Sequence, residues 1–287
     1  MLKRTCIAVL LLAAPLPAAE PKLSADLPYA EPKNELHLLD VYAPAEGRNH
    51  PIIVWLHGGG RTKGQKAGVD HKAQAFTDRG FLFVPINYRF IPQVTMPQMA
   101  ADAAKAVRWS YDHAAEYGGD SQAIVLMGHS AGAHLAALIS TDERYLKAEG
   151  LSLRAIKGCI PVDVGYYDVP KLVRDHGPEL PPALKNFFGA TDEVQRELSP
   201  ASHIARDKPI PPFLILFVAD RPETHVPSCW FAERLNEAGV PAEALRVRDK
   251  THDTINADLG LPDDPATQAV WKFLDKVLQH DSAGQSH

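Results

Sequence analysis

The chain has 287 residues, 45% of them hydrophobic and 23% charged, with a formal net charge of −5 and a pI near 6.2. That length and apolar fraction suit one large α/β domain with a sizeable core. There is no basic excess and no run of Lys and Arg that could track phosphates, which excludes nucleic acid as an expected partner.

Residues 1 to 19 place Lys3 and Arg4 before an apolar stretch, Ile7 to Ala14, and then Leu16-Pro17-Ala18-Ala19. This charged, apolar, small-residue order is that of a secretory signal peptide cleaved after Ala18 or Ala19. The apolar run is too short to span a bilayer, so no stable membrane insertion is expected. The expected product is one exported domain, residues 20–287, secreted or periplasmic. Cleavage leaves Cys159 and Cys229, hence at most one disulfide, and two buried free thiols are the expectation. Neither cysteine fits a zinc spacing, and His129 and His134, five apart, do not share a helix face, so no metal is implied.

Alternation at Leu36, Leu38, Asp40 and Tyr42 predicts a strand on the antiparallel side of a sheet. Ile52 to Leu56 and Phe81 to Ile86 read as buried strands, with a helix over Lys66 to Arg79 between them, stopped by Gly80. From Met96 the apolar residues Met99, Ala103, Val107 and Tyr111 follow at helical spacing, with Pro97 in the first turn. Strands are predicted again at Ala123 to Met127, Ala155 to Val162, Phe213 to Val218 and Ala242 to Val247. Helices are expected from Ala131, over Ser228 to Ala238, and from Pro265 to about Gln279. Such alternation means parallel pairing with helices on both faces, an α/β architecture. Residues 165 to 208 break the rhythm and hold Tyr166, Tyr167, Phe187, Phe188 and Pro181-Pro182. They are expected to form a small lid-like insertion.

Two stretches carry chemistry. In Gly128-His129-Ser130-Ala131-Gly132 a serine stands where a strand turns sharply into a helix. A tight strand-to-helix turn strains the serine backbone and pushes its hydroxyl outward, while small residues on either side let strand and helix approach. Earlier, Trp55-Leu56-His57-Gly58-Gly59-Gly60 runs a buried strand into consecutive glycines. Backbone N–H groups exposed there suit an anion developing on a carbonyl oxygen.

Together these motifs resemble the α/β-hydrolase superfamily, in particular its His-Gly-Gly-Gly esterase branch, which includes hormone-sensitive-lipase-like, feruloyl and acetyl esterases and kynurenine formamidases. The likeness extends to Leu39-Asp40-Val41-Tyr42-Ala43-Pro44, Asn87-Tyr88-Arg89 and Tyr117-Gly118-Gly119-Asp120, and covers residues 36 to 279. It implies an α/β-hydrolase fold, a mostly parallel sheet with helices on both faces, and a triad in the order serine, acid, histidine. On that order Ser130 is the nucleophile and His252, after the last strand, is the base. The acid is expected at Asp220, at the end of Phe213 to Val218, with Glu223 as substitute and Asp163 as third choice. The resemblance also implies an oxyanion hole from the N–H groups of Gly58, Gly59 and Ala131, with His57 bracing the loop. It implies no cofactor. Where the family often has an aromatic residue after the glycines, this chain has Arg61.

The expected activity is a serine esterase cleaving short-acyl or aromatic esters, small-molecule or carbohydrate-linked, that rest against Tyr166, Tyr167 and Phe187. A kynurenine formamidase-like amide hydrolase is the rival suggested by Gly128 to Leu135. A catalytically inactive hydrolase fold used for binding is the rival of another class.

Overall fold

The computed structural model describes residues 20–31, 34–177 and 182–282; the expected signal peptide lies outside them. Eight strands form one sheet: β1 Lys22–Pro28, β2 Leu38–Ala43, β3 His50–Leu56, β4 Leu82–Ile86, β5 Gly119–His129, β6 Ile156–Val162, β7 Phe213–Val218 and β8 Ala242–Val247. Their order is β1-β2-β4-β3-β5-β6-β7-β8. Only β1 and β2 pair antiparallel, β1 with β2 and β2 with β4. The run from β4 through β8 is parallel, which places the C-terminal ends of β3, β5, β6, β7 and β8 along one edge, where ligand sites gather in such sheets.

The central strands are continuous apolar runs because helices cover them on both sides. On one face α2 (Met96–His113), α3 (Ala131–Thr141) and α8 (Pro222–Glu237) bury Met99, Val107, Leu135, Phe231 and Leu235. On the other, α1 (Lys72–Asp78) and α10 (Pro265–Ser282) bury Phe76, Val270, Trp271 and Leu274 against Trp55, Phe83 and Met127. The start of α2 is set by a capping box in which Thr95 and Gln98 satisfy each other's backbone N–H groups. Between β6 and β7, the segment expected as a lid holds α5 (Val169–His176), α6 (Pro182–Phe188) and α7 (Asp192–Glu197). The short α4 (Glu143–Ala148) follows α3, and α9 (Thr254–Ala257) follows β8.

Three expectations shift. α1 begins at Lys72 rather than near Lys66, because the Lys66 ammonium is drawn to Asp40 (2.6 Å) and Asp26 (2.8 Å) while its N–H donates to the Asn87 side chain. α8 begins at Pro222 rather than Ser228 and takes Pro227 into its interior, so Glu223 sits in a helical first turn. Cys159 and Cys229 are both free thiols, but Cys229 is exposed. β1 was not foreseen; the Asp26 N–H donates to the Asp40 carboxylate (2.9 Å) where its pairing register shifts.

The crossing of β3, β5 and α3 sets the position of Ser130. A methyl group at Gly132 would lie 2.2 Å from the Leu56 carbonyl oxygen, and one at Gly128 would lie 2.6 Å from the Gly132 backbone. Neither backbone can retreat without opening the sheet. Gly132→Ala is therefore expected to cost about 3 kcal/mol in urea unfolding. Gly239→Ala, where nothing lies within 4 Å and only φ is unfavourable, should cost about 1 kcal/mol. Equal losses would show that the close approach does not constrain the crossing.

Candidate active site

Ser130 occupies the turn between β5 and α3 with φ 53° and ψ −114°, a region that residues with a Cβ rarely adopt. Two backbone bonds hold it there. Its N–H donates to Val162 O at 2.9 Å, and its carbonyl accepts from His134 N at 3.2 Å. The Oγ lies 3.0 Å from His252 Nε2, and His252 Nδ1 lies 2.6 Å from Asp163 Oδ2. With Nδ1–H donating to the carboxylate, Nε2 is left as acceptor for the serine hydroxyl.

The group facing His252 is thus Asp163, at the end of β6, and not Asp220. The Asp220 side chain is 89% exposed and its contact is Arg246 at 3.7 Å. Glu223, 61% exposed, accepts from Arg221 Nε at 3.0 Å and does not reach the imidazole either. The reason is lateral position: β6 lies next to β5 in the sheet, whereas β7 is one strand further out. The chain after β8 must cross back over β7 to bring His252 to Ser130, which leaves the imidazole above the end of β6.

Asp163 is buried, and burial alone would push its pKa up. Four donors reverse that: His252, the Val218 N–H (3.1 Å), the Thr224 hydroxyl (2.8 Å) and Arg221, whose Nη1 contacts Oδ2. The net result is a carboxyl held down at about 2. Arg221 Nη1 also lies 2.6 Å from His252 Nδ1. A guanidinium has no lone pair, so the two N–H groups converge on the same carboxylate oxygen rather than bonding each other.

The loop carrying His252 is pinned on both flanks. Lys250 Nζ reaches Asp258 and Asp264, each at 2.7 Å, and the buried Lys72 ammonium donates to Asn256 O at 2.8 Å. From the turn between β5 and α3, His129 Nε2–H donates to the His252 carbonyl at 2.9 Å. Burial first, and the neighbouring His252 second, hold the His129 pKa down at about 3, so it is a neutral bracket. This role of His129 was not read from the sequence; its one signal is its place beside the serine.

The glycine loop lies against the same turn. A Cβ on Gly58 would stand 3.3 Å from Ser130 Cβ, so the Gly58 backbone borders Ser130. Gly59 has φ 125°, and a Cβ there would overlap Lys63 O at 1.9 Å. His57 braces the loop as expected: its Nδ1–H donates to Gly58 O (2.6 Å), its carbonyl accepts from Tyr88 OH (2.5 Å), and its ring stacks on Tyr88 at 4.4 Å. Burial lowers its pKa to about 4. Ala131 opens α3, where a backbone N–H has no helical partner and the dipole favours negative charge.

Of the aromatic residues expected at the substrate, Tyr166 and Phe187 are half-buried and both lie over the Arg61 guanidinium. Tyr167 does not join them. It is fully buried and stacked on Phe231 at 4.2 Å, on the side of the chain away from Arg61. A cavity of about 1130 Å³ runs along β8 and α10, lined by Phe213, Leu245 and Phe273; it does not include Ser130 or His252. Among the described residues no group of three or more His, Cys, Asp or Glu could hold a metal, and no helix is long and apolar enough to cross a membrane.

Because the folded Asp163 carboxyl titrates at about 2, below its ordinary 3.8, it stabilises the fold above pH 4. That contribution, on the order of 2 kcal/mol, is lost as pH falls toward 2. In urea unfolding at pH 5 and pH 2, Asp163→Asn is expected to lose about 2 kcal/mol less than the parent protein over that interval. Parallel losses would contradict the pairing.

The BD-FAE family model matches residues 39–229. Curated relatives include the probable carboxylic ester hydrolase LipM of Mycobacterium tuberculosis, 32% identical over 175 residues, covering 58% of this chain and 40% of LipM. The probable isoprenylcysteine alpha-carbonyl methylesterase ICMEL1 of Arabidopsis thaliana is 29% identical, covering 75% of this chain and 48% of that protein. The chain thus spans about half the length of these relatives. Among solved structures, the butyrate-bound esterase Est2 of Thermogutta terrifontis has a TM-score of 0.68 at 27% identity, covering 92% of this chain and 94% of its own. With its motifs, sheet order and family match in agreement, the chain belongs to the BD-FAE family of α/β-hydrolase-fold proteins.

Proposed function

We propose that the protein is a serine hydrolase that cleaves carboxylic esters of short acyl or aromatic type through an acyl-enzyme. The observation that carries this reading is the line Ser130 Oγ, His252, Asp163, with contacts of 3.0 and 2.6 Å. An alcohol is a weak nucleophile at neutral pH and needs an adjacent base. In the proposed reaction His252 Nε2 takes the Ser130 proton as Oγ attacks the ester carbonyl. Asp163 keeps the imidazole in the required tautomer and balances the imidazolium. The N–H groups of Gly58, Gly59 and Ala131 receive the oxyanion. His252 then protonates the departing alcohol, and water, activated by the same imidazole, releases the acid.

The short-acyl preference is supported by the butyrate-bound Est2 relative and the aromatic one by the rings of Tyr166 and Phe187 over Arg61, which follows the glycine loop. The substrate is taken to be a small-molecule or carbohydrate-linked ester. Export, secreted or periplasmic, is proposed on the charge-apolar-small order of residues 1 to 19.

Ser130→Ala is expected to remain folded and to lose at least about three orders of magnitude in p-nitrophenyl acetate turnover. The parent protein should be labelled by a fluorophosphonate probe; no labelling with an intact fold would favour a binding module. Turnover of N-formylkynurenine above that of the acetate ester would favour the amide hydrolase.

The acid is tested by a pair of variants. Asp163→Asn should lower kcat by roughly 10² to 10⁴, whereas Asp220→Asn should stay within about twofold, as expected for an exposed charge. The reverse ranking, with circular dichroism unchanged, would return the role to Asp220.

A further inference from the structure

Arg61 follows the glycine loop directly, and its burial is unusual for a charged side chain. Its side chain is buried, with 3% of the residue exposed. Its Nε and Nη2 are out of contact with solvent and meet no acceptor, and among the described residues no carboxylate pairs with it. Its backbone adopts φ 69°, a left-handed conformation in which glycine would be cheaper.

The surroundings are aromatic or neutral. The guanidinium carbon lies 5.0 Å from the Tyr166 ring, 5.4 Å from Phe187 and 4.9 Å from Phe188. Two further polar side chains lie within its electrostatic reach: Tyr88, whose hydroxyl is spent on the His57 carbonyl, and His134, one helical turn after Ser130. Its Nε2–H donates to Leu198 O at 2.9 Å, and Nδ1 is buried without a partner. Burial, then the charge of Arg61, keep His134 neutral, its pKa lowered to about 3. Desolvation lowers the Arg61 pKa itself to about 10, so the group is still a cation at neutral pH. Cation–π contact offsets part of the loss of hydration, but rings leave the fork of N–H donors unfilled.

A buried, unpaired cation is costly unless an anion joins it. No side chain of the described fold supplies one, and the position lies three residues from Gly58, which borders the nucleophile. We propose that Arg61, with its unfilled donors beside the oxyanion loop and under Tyr166 and Phe187, anchors a carboxylate carried by the ester substrate. A carboxylate matches the planar fork of the guanidinium with two parallel hydrogen bonds. The site is then selective for esters with a free acid group a few bonds from the scissile carbonyl. This specificity rests on the hydrolase reading of Ser130.

Two pairs of near-isosteric substrates test it and locate the acid group. Phenyl hemisuccinate and phenyl 4-oxopentanoate differ in charge on the acyl side. 4-Acetoxybenzoate and 4-acetoxyacetophenone differ on the leaving-group side. In at least one pair, the ratio of kcat/KM for the charged over the neutral member should fall about 20-fold or more in Arg61→Met relative to the parent. Arg61→Lys, which keeps the charge but not the fork, should fall between. Ratios unchanged in both pairs would overturn the proposal and leave Arg61 a cation–π clamp.

If Arg61→Met does not fold, inhibition of neutral-ester turnover in the parent protein decides. Glutarate should compete and glutaramide should not; equal behaviour overturns the anchor. If the parent protein hydrolyses no ester, the hydrolase reading has failed separately. The anion site is then judged by melting temperature, which glutarate should raise in the parent protein but not in Arg61→Lys or Arg61→Met; no rise overturns it.

Discussion

The site depends on a carboxylate kept charged out of water. Asp163 sits at the end of β6 with its side chain fully covered, an arrangement that would protonate it if donors were lacking. Val218 N–H and Thr224 Oγ1 take one oxygen, and His252 and Arg221 share the other. These partners come from β7, α8 and the loop after β8, so one buried charge ties together three segments that are adjacent only in the folded sheet. The position of His252 is a consequence of that tie. The imidazole is fixed at Nδ1 by the carboxylate and at its own carbonyl by His129, which leaves Nε2 one direction in which to point.

The opposite wall is held by different means. Here the backbone itself must come close, and three features allow it: the absence of side chains at Gly58 and Gly59, the stacking of His57 on Tyr88, and the hydrogen bond from Tyr88 to the His57 carbonyl. His57 and His129 are both buried and both neutral, their pKa values lowered to about 4 and about 3. Each therefore serves as a fixed hydrogen-bonding wedge, and neither competes with His252 for a proton. In the proposed reaction such a wall would need no reorganisation as charge develops on the ester oxygen.

Among the buried charged side chains, Arg61 is held differently from Lys66, Lys72 and Asp102. Lys66 and Lys72, also buried, have acceptors within 2.8 Å, and Asp102 is paired with Arg89 at 2.6 Å. Arg61 alone of these four residues has aromatic faces in place of an acceptor. The contrast separates a charge that holds the fold together from one whose partner comes from outside.

The amino-acid sequence by itself determined what is local. The apolar run into Gly128-His129-Ser130-Ala131-Gly132 specifies strand, turn and helix, because only small residues permit the crossing. The run into Gly58-Gly59-Gly60 specifies an exposed backbone, and the order of strands places His252 after the last of them. Tertiary structure decided the rest. Asp163 and Asp220 each follow a buried strand, and along the chain they are equivalent; they differ in that β6 adjoins β5 and β7 does not, a lateral fact that periodicity does not encode. Tyr166 and Tyr167 are likewise indistinguishable until packing turns one toward Arg61 and the other onto Phe231. The burial of Arg61 was invisible for the same reason: a residue after three glycines reads as a surface turn until α6 and the Tyr166 segment, distant in sequence, close over it.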